Sequence, residues 1–265
     1  MTEVRQELLR FIALNHAEQW VPNDVAFQQL FERHGDLIIN HLIECLPNEN
    51  EKVRQLAAGL LDEAGNRAEP AVHALTQRLT DEDRSVVITA MFTLKRLAQF
   101  AQSAIPAIKI VLTNSTEPYL QIMAAATHGK IAPEDSSTVP ILIAALDDPI
   151  GFNRATACEF LGERRHKSGV LCTIKLLNDE DFSVRFAAAE AIGLTFGNWI
   201  HALGICLELL KDEGEFNRCV GGESLLSIKQ YIQNDLDVVS IAISTAPSWE
   251  ARIDIEELLH QLRSP

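Results

Sequence analysis

Eight histidines, five cysteines and 37 carboxylates are the groups with which this chain of 265 residues would do metal, nucleophilic or acid–base chemistry. The histidines, at 16, 34, 41, 73, 128, 166, 201 and 260, form no H-E-x-x-H or H-x-x-x-H pair. No helix therefore offers two imidazoles one turn apart to a zinc ion. Cys45, Cys158, Cys172, Cys206 and Cys219 are scattered, with no C-x-x-C pair. An odd, dispersed set reads as reduced thiols, several of them buried as small apolar side chains. There is no G-x-x-x-x-G-K-[ST] phosphate loop and no G-x-S-x-G nucleophile elbow. The expectation is a protein with no catalytic residues, no metal and no cofactor.

Charge points to the kind of partner. The net charge of −14 is uneven: residues 1–133 carry 12 basic and 16 acidic side chains, and residues 134–265 carry 11 and 21. An acidic surface repels phosphate backbones, so nucleic acid is not an expected partner and a basic protein segment is. The basic clusters, Lys95-Arg96 and "RRHK" at 164–167, are small. The second reads as positive charge at a helix C-terminus followed by a solvated loop. No apolar run approaches the roughly 20 residues of a membrane span, and the first residues lack a signal-peptide core. A cytoplasmic protein with no membrane partner is expected.

The elements that would position such a surface are legible as a repeat. Leu46, Leu79, Leu112, Leu146, Leu177 and Leu210 stand 33, 33, 34, 31 and 33 residues apart. Two residues after each comes Asn48, Asp81, Asn114, Asp148, Asp179 or Asp212, and eight after each comes Arg54, Val87, Leu120, Arg154, Arg185 or Arg218. A fixed period near 33 is the signature of stacked supersecondary units. Before each leucine lies a stretch of helical periodicity, such as "VPILIAAL" (139–146), with Pro70, Pro106 or Pro140 near its start. The Asp or Asn sits in a turn, where its oxygen accepts free N–H groups. A second helix follows, small in the middle, as in Ala187, Ala188 and Ala189, and closing near Gly65 or Gly197. Helix pairs that stack at roughly 8–10 Å between axes need small side chains where one layer meets the next. The alanines are packing clearance.

The stretches "NENEKVRQLAAGLLDEAG" (48–65), "DDPIGFNRATACEFLG" (147–162) and "NDEDFSVRFAAAEAIG" (178–193) resemble the HEAT repeat, in the bacterial form also found in HEAT-like phycobilin lyases. The resemblance covers about residues 35–233. It implies an all-α, right-handed α-solenoid of about eight stacked antiparallel helix pairs, armadillo-like in form. Six regular repeats (35–233) would lie between N-terminal (1–34) and C-terminal (234–265) capping helices, in a single domain. It also implies ladders of turn acids and helix-start arginines between neighbours. The arginine ladder maps onto Arg54, Arg154, Arg185 and Arg218 only, so apolar packing is expected to stand in at Val87 and Leu120. Repeat proteins of the deoxyhypusine hydroxylase type hold iron with His-Glu dipeptides, which this chain lacks.

In HEAT-like repeats the second helices line the concave face. Counting one, five and nine residues on from each Arg position gives the side chains expected to point outward there. Glu159, Glu190 and Glu223 form a row across three repeats, with Glu163 one turn beyond Glu159. Ile88 and Phe92 stand one turn apart, and Phe186 holds the place of Ile88 in a later repeat. The expected function is a non-enzymatic scaffold or adaptor. Its acidic row would take a basic protein or peptide segment, with Ile88, Phe92 and Phe186 as apolar anchors. The alternative implied by the resemblance is a subunit of a phycobilin-lyase-type enzyme, or a chaperone.

Overall fold

A computed structural model of the chain describes residues 24–210 and 215–232, together with positions 4, 6–8, 10 and 11, which are helical. The expected capping pair at 235–245 and 248–262 and the turn residue Asp212 lie outside the described residues. Helices and turns make up all that is described, with no strand among those residues. The chain forms two compact units, Met1–Ile141 and Leu142–Pro265.

In the N-terminal unit, α1 (Asp24–His34) precedes three helix pairs. They are α2 (Leu37–Cys45) with α3 (Glu51–Glu63), α4 (Val72–Gln77) with α5 (Arg84–Arg96), and α6 (Ile105–Asn114) with α7 (Pro118–Ile131). The second helices pack side by side, α3 on α5 and α5 on α7. The boundary between the units falls within α8 (Val139–Ala145). The C-terminal unit continues with α9 (Gly151–Glu163), α10 (Lys167–Leu171), α11 (Phe182–Phe196), α12 (Ile200–Leu210) and α13 (Glu215–Ser227). Here α9 packs on α11, and α12 on α13.

The first helices are less regular than their periodicity suggests. The stretch 169–177, read as one helix, is α10 followed by a 3-10 segment, Cys172–Asn178. The Thr173 hydroxyl donates to the Val170 carbonyl at 2.8 Å, within the tighter i−3 turn. Around α4, 3-10 segments at Gly65–Ala71 and Arg78–Thr80 flank a single α-helical stretch. Pro70 sits inside the first of these and supplies no N–H there. Pro106, by contrast, falls at the first turn of α6, as expected.

Second helices start from matching caps. Asn50 accepts from the Lys52 N–H, Asp83 from Ser85 and Val86, and Asp181 from Ser183. Their ends differ: Gly197 closes α11 at φ 72°, a left-handed conformation that favours glycine, and Gly65 (φ 57°) follows the Ala64 end of α3, while α5, α7 and α9 end on Leu97, Ala132 and Arg164. Between the ends run the small residues. Ala57, Ala58, Ala90, Ala124, Ala157, Ala187, Ala188 and Ala189 are all buried. At Gly162 the neighbouring backbone itself comes close: a Cβ there would lie 2.7 Å from the Ala191 Cα on the neighbouring helix. At Gly221 it would meet the Leu209 Cβ at 2.8 Å.

The arginine ladder is built as far as the described residues reach. Arg54 Nε and Nη2 donate to the two Asp81 oxygens at 2.9 and 2.7 Å, while Nη1 donates to the carbonyls of Asn48 and Glu49. Arg154 repeats this arrangement with Asp179 and the carbonyls of Asp148 and Pro149. Each guanidinium thus ties its own turn to the next. Burial works against the Asp81 carboxylate. The Arg54 bonds, the Asp83 amide and the charges of Arg54 and Arg78 outweigh it, so the carboxyl lies below its ordinary pKa. For Asp179 the Arg154 bond is the largest influence and acts in the same direction. Where Val87 replaces arginine it is buried, so apolar packing does stand in. A polar link persists outside it: Arg84 on the α5 start donates to Glu117 at 2.6 Å across the two turns.

Two outcomes follow from this geometry. Gly162→Ala, favourable by helix propensity, is expected to destabilise by about 1–3 kcal/mol because α9 and α11 must part. Urea unfolding measures it, and a gain in stability would refute the clearance role. Arg54→Met leaves the Asp81 carboxylate buried without its fork and is expected to cost about 3 kcal/mol, with much of the loss recovered in the Arg54→Met/Asp81→Leu double variant.

Candidate functional site

The acidic row predicted across the C-terminal unit sits on α9, α11 and α13. Glu159 and Glu163 are exposed on α9, Glu223 is exposed on α13, and Glu190 on α11 is half-buried. The close packing of Gly162 against Ala191 brings the ends of α9 and α11 together, so Glu163 and Glu190 feel each other's charge. Burial is the main cause that raises the Glu190 pKa above the ordinary carboxyl value, and Glu163 is the second. Beneath lies Cys206 of α12. Burial pushes its thiol up to about 12, with the Glu190 charge acting in the same direction. Cys158 on α9 is likewise buried and pushed up to about 12. Neither thiol is a nucleophile at neutral pH.

The apolar anchors are divided between the units. Ile88 is half-buried and Phe92 is 43% exposed on α5, both in the N-terminal unit. One turn further, Arg96 donates to Asp62 at 2.9 Å, tying α5 to α3. Phe186 belongs to the C-terminal unit with the acids. It is half-buried, stacked on Phe182 at 6.0 Å, and packed against a cluster that includes Trp199, Leu203 and Leu225. Several other positions read as outward are buried, namely Gly59, Ala125, Gly129 and Ala155. These residues are too short to rise past the side chains of the adjoining helices. The face reaches solvent only where its side chains are long.

Several large apolar residues outside the predicted set, Leu37, Ile110, Leu171 and Ile200 among them, are more exposed than any anchor within it, and two of these stand together. Ile150 is 57% and Phe152 61% accessible at the start of α9. Ile150 occupies the N-cap position and makes no side-chain cap, where Asn50, Asp83 and Asp181 cap their helices. A break in the cap pattern is visible in the sequence and was the signal available for finding them.

The remaining candidate groups have structural uses. In "RRHK", Arg164 closes α9, and His166 Nδ1 accepts the Gly169 N–H at 3.1 Å to cap α10. That matches the helix-end reading of this cluster. A cleft of about 490 Å³ in the N-terminal unit is bordered by Phe27, Phe31, Glu32, Glu63 and Arg67, with the Arg67 guanidinium 5.0 Å over the Phe31 ring. Among the described residues no three His, Cys, Asp or Glu side chains form a metal-holding group. Nor is any described helix long and apolar enough to cross a membrane.

Glu190 supplies a stability test with a definite sign. An acid whose folded pKa is raised destabilises the fold while ionised, and that cost vanishes as pH falls through the raised value toward the ordinary one. Glu190→Gln is therefore expected to raise Tm at neutral pH, with the gain closing at a pH of about 3, below the ordinary Glu range. Thermal melts across that range measure it. A gain that persists undiminished in acid would assign the effect to packing.

Comparison with known proteins agrees with this architecture. Residues 139–213 match the family of HEAT repeats. Comparison with curated protein sequences finds no match. Among solved structures, the complex of CpcE and CpcF of phycocyanin lyase from Nostoc sp. PCC7120 matches at a TM-score of 0.56 and 19% identity, covering 84% of this chain and 94% of that one. A designed armadillo repeat protein in complex with the peptide (KR)4 matches at a TM-score of 0.50 and 16% identity, covering 72% and 92%. At such identities the likeness concerns the fold. Residues 139–213 carry HEAT repeats, and the fold of the chain is that of the HEAT and armadillo-like solenoids.

Proposed function

We propose that this protein is a non-enzymatic scaffold that binds a basic, extended segment of another protein along the second-helix face of its C-terminal unit. The observation that carries this reading is Glu190. It is held half-buried at an energetic cost, and among the described residues the one charge that shifts it is the like charge of Glu163. A Lys or Arg side chain from a partner, bonded beside the two carboxylates, would offset both causes by favouring their ionised forms. Glu159 adds a further exposed acid on α9, and Glu223 is exposed on α13. The designed armadillo protein with its (KR)4 peptide supports the reading, since alternating basic residues suit a face of regularly spaced second helices.

The (KR)4 peptide itself is the first probe. Anisotropy of a labelled peptide is expected to show binding that weakens about ten-fold or more between about 50 and about 300 mM salt. Glu159→Lys with Glu190→Lys is expected to weaken it by about ten-fold or more at low salt. Unchanged affinity in that double variant would discard the acidic face.

A second reading is favoured by the phycocyanin lyase complex, a match over 84% of this chain. There the chain would be one subunit of a lyase-type enzyme, active only with a partner subunit. The absorbance spectrum of the purified protein separates the two, because a co-purifying chromophore supports the lyase reading.

A further inference from the structure

We infer that Ile150 and Phe152 form a built apolar anchor for the partner segment, which therefore carries an apolar side chain followed by basic residues. This rests on the acidic-face reading and specifies its ligand. Four observations lead to it.

First, the two side chains are large, apolar and more than half exposed, within two residues of each other. Second, their presence works against the local fold. Ile150 stands where three other second helices place a capping Asn or Asp, and its backbone shares their extended conformation (φ −88°, ψ 117°); Glu117 at the start of α7 also makes no cap, but it is charged and pairs with Arg84. An aliphatic residue there forgoes a cap. A local rule broken by a side chain that stays more than half exposed is the kind of exception expected at functional positions.

Third, the tip is held rigid. Asp148 Oδ1 accepts the Ile150 N–H at 2.8 Å, and Arg154 clamps the Asp148 and Pro149 carbonyls while forking onto Asp179 of the next repeat. Behind the tip, Gly151 backs so closely onto Asp181 that a Cβ would fall 2.5 Å from its carboxylate oxygen. A preorganised apolar tip loses little freedom on binding.

Fourth, the neighbouring charge is matched to it. Phe152, Glu159 and Glu163 are seven and then four residues apart, so they share one face of α9, and all three are exposed. At 1.5 Å per residue Glu159 lies about 10 Å from Phe152 along the helix, and Glu163 about 6 Å further. An extended peptide advances about 3.3 Å per residue. An apolar side chain on Phe152 would thus be followed by a basic residue three positions on and another two beyond it.

The probes are two labelled octapeptides of glycine with lysines at positions five and seven, one bearing Phe at position two and the other Gly. Anisotropy is read alongside (KR)4. The Phe peptide is expected to bind about ten-fold tighter than its Gly counterpart. In Ile150→Asn/Phe152→Ser that preference should vanish while (KR)4 affinity is kept. The single variant Ile150→Asn, which restores a cap, should show a raised Tm together with a weakened preference. That pairing excludes loss of folding as the cause.

Equal binding of the two octapeptides, or a preference retained in the double variant, would overturn the anchor and leave the acidic face standing. Absence of any (KR)4 binding would bring down both. A wild-type dimer dissociated by Phe152→Ser, with peptide binding unaltered, would assign the pair to self-association and overturn the proposal.

Discussion

The distance between adjacent second helices controls the rest of this structure. Where α9 meets α11 there is no room for a methyl group at Gly162, and where α13 meets α12 there is none at Gly221. Such approach excludes water from the helix flanks and lets buried alanines carry the packing that bulkier residues carry in a globular core. It also dictates where longer side chains can go. Leu46, Leu61, Leu94 and Leu161 are buried, and polar side chains that stay inside include the short Thr93 and Thr127, whose hydroxyls donate to the Ala58 and Met91 carbonyls of the neighbouring helix. Glu190, next to the Ala191 that Gly162 touches, is half-buried on the flank of this close contact.

Polar cross-links then fix the turns that this packing brings together. Arg54 and Arg154 each satisfy two carbonyls of their own turn and both oxygens of the next carboxylate, so donors and acceptors that would otherwise be buried unpaired are used in one stroke. The ends of the second helices are thereby held in register. A rigid Asp148–Ile150 turn is one product of that clamp, and the exposed tip depends on it.

Much of this was legible in the sequence, for identifiable reasons. The period near 33, the turn acids and the alanine runs are strict because each repeat meets the same neighbour geometry. The arginine pairings followed from the resemblance to HEAT repeats laid over that period, as did the loss of the link at Val87. The interaction face was only partly legible. Counting by helical angle placed Glu159, Glu163 and Glu223 in solvent correctly, but it also placed Gly59, Ala125 and Ala155 there, and they are buried. Angle about one helix does not report how high the neighbouring helices stand. Phe186 looked like an anchor for the same reason, yet much of its ring rests on the C-terminal cluster. Ile150 and Phe152 were hidden by the counting scheme, which began at the arginine and passed over the turn before it.

The substitution of Val87 for arginine bears on how the stack comes apart. In a linear array, cohesion is a chain of neighbour-to-neighbour couplings, and a weak link decides where the file divides. Between the first two repeats of the N-terminal unit the coupling includes a sheltered Arg54–Asp81 fork. Between the second and third its ion pair is the half-exposed Arg84–Glu117 contact, beside a buried Thr127–Met91 hydrogen bond. Added electrolyte screens an exposed pair far more than a sheltered fork. Ionic strength therefore weighs more on the second seam, whose ion pair lies open to solvent, than on the first, which keeps its fork.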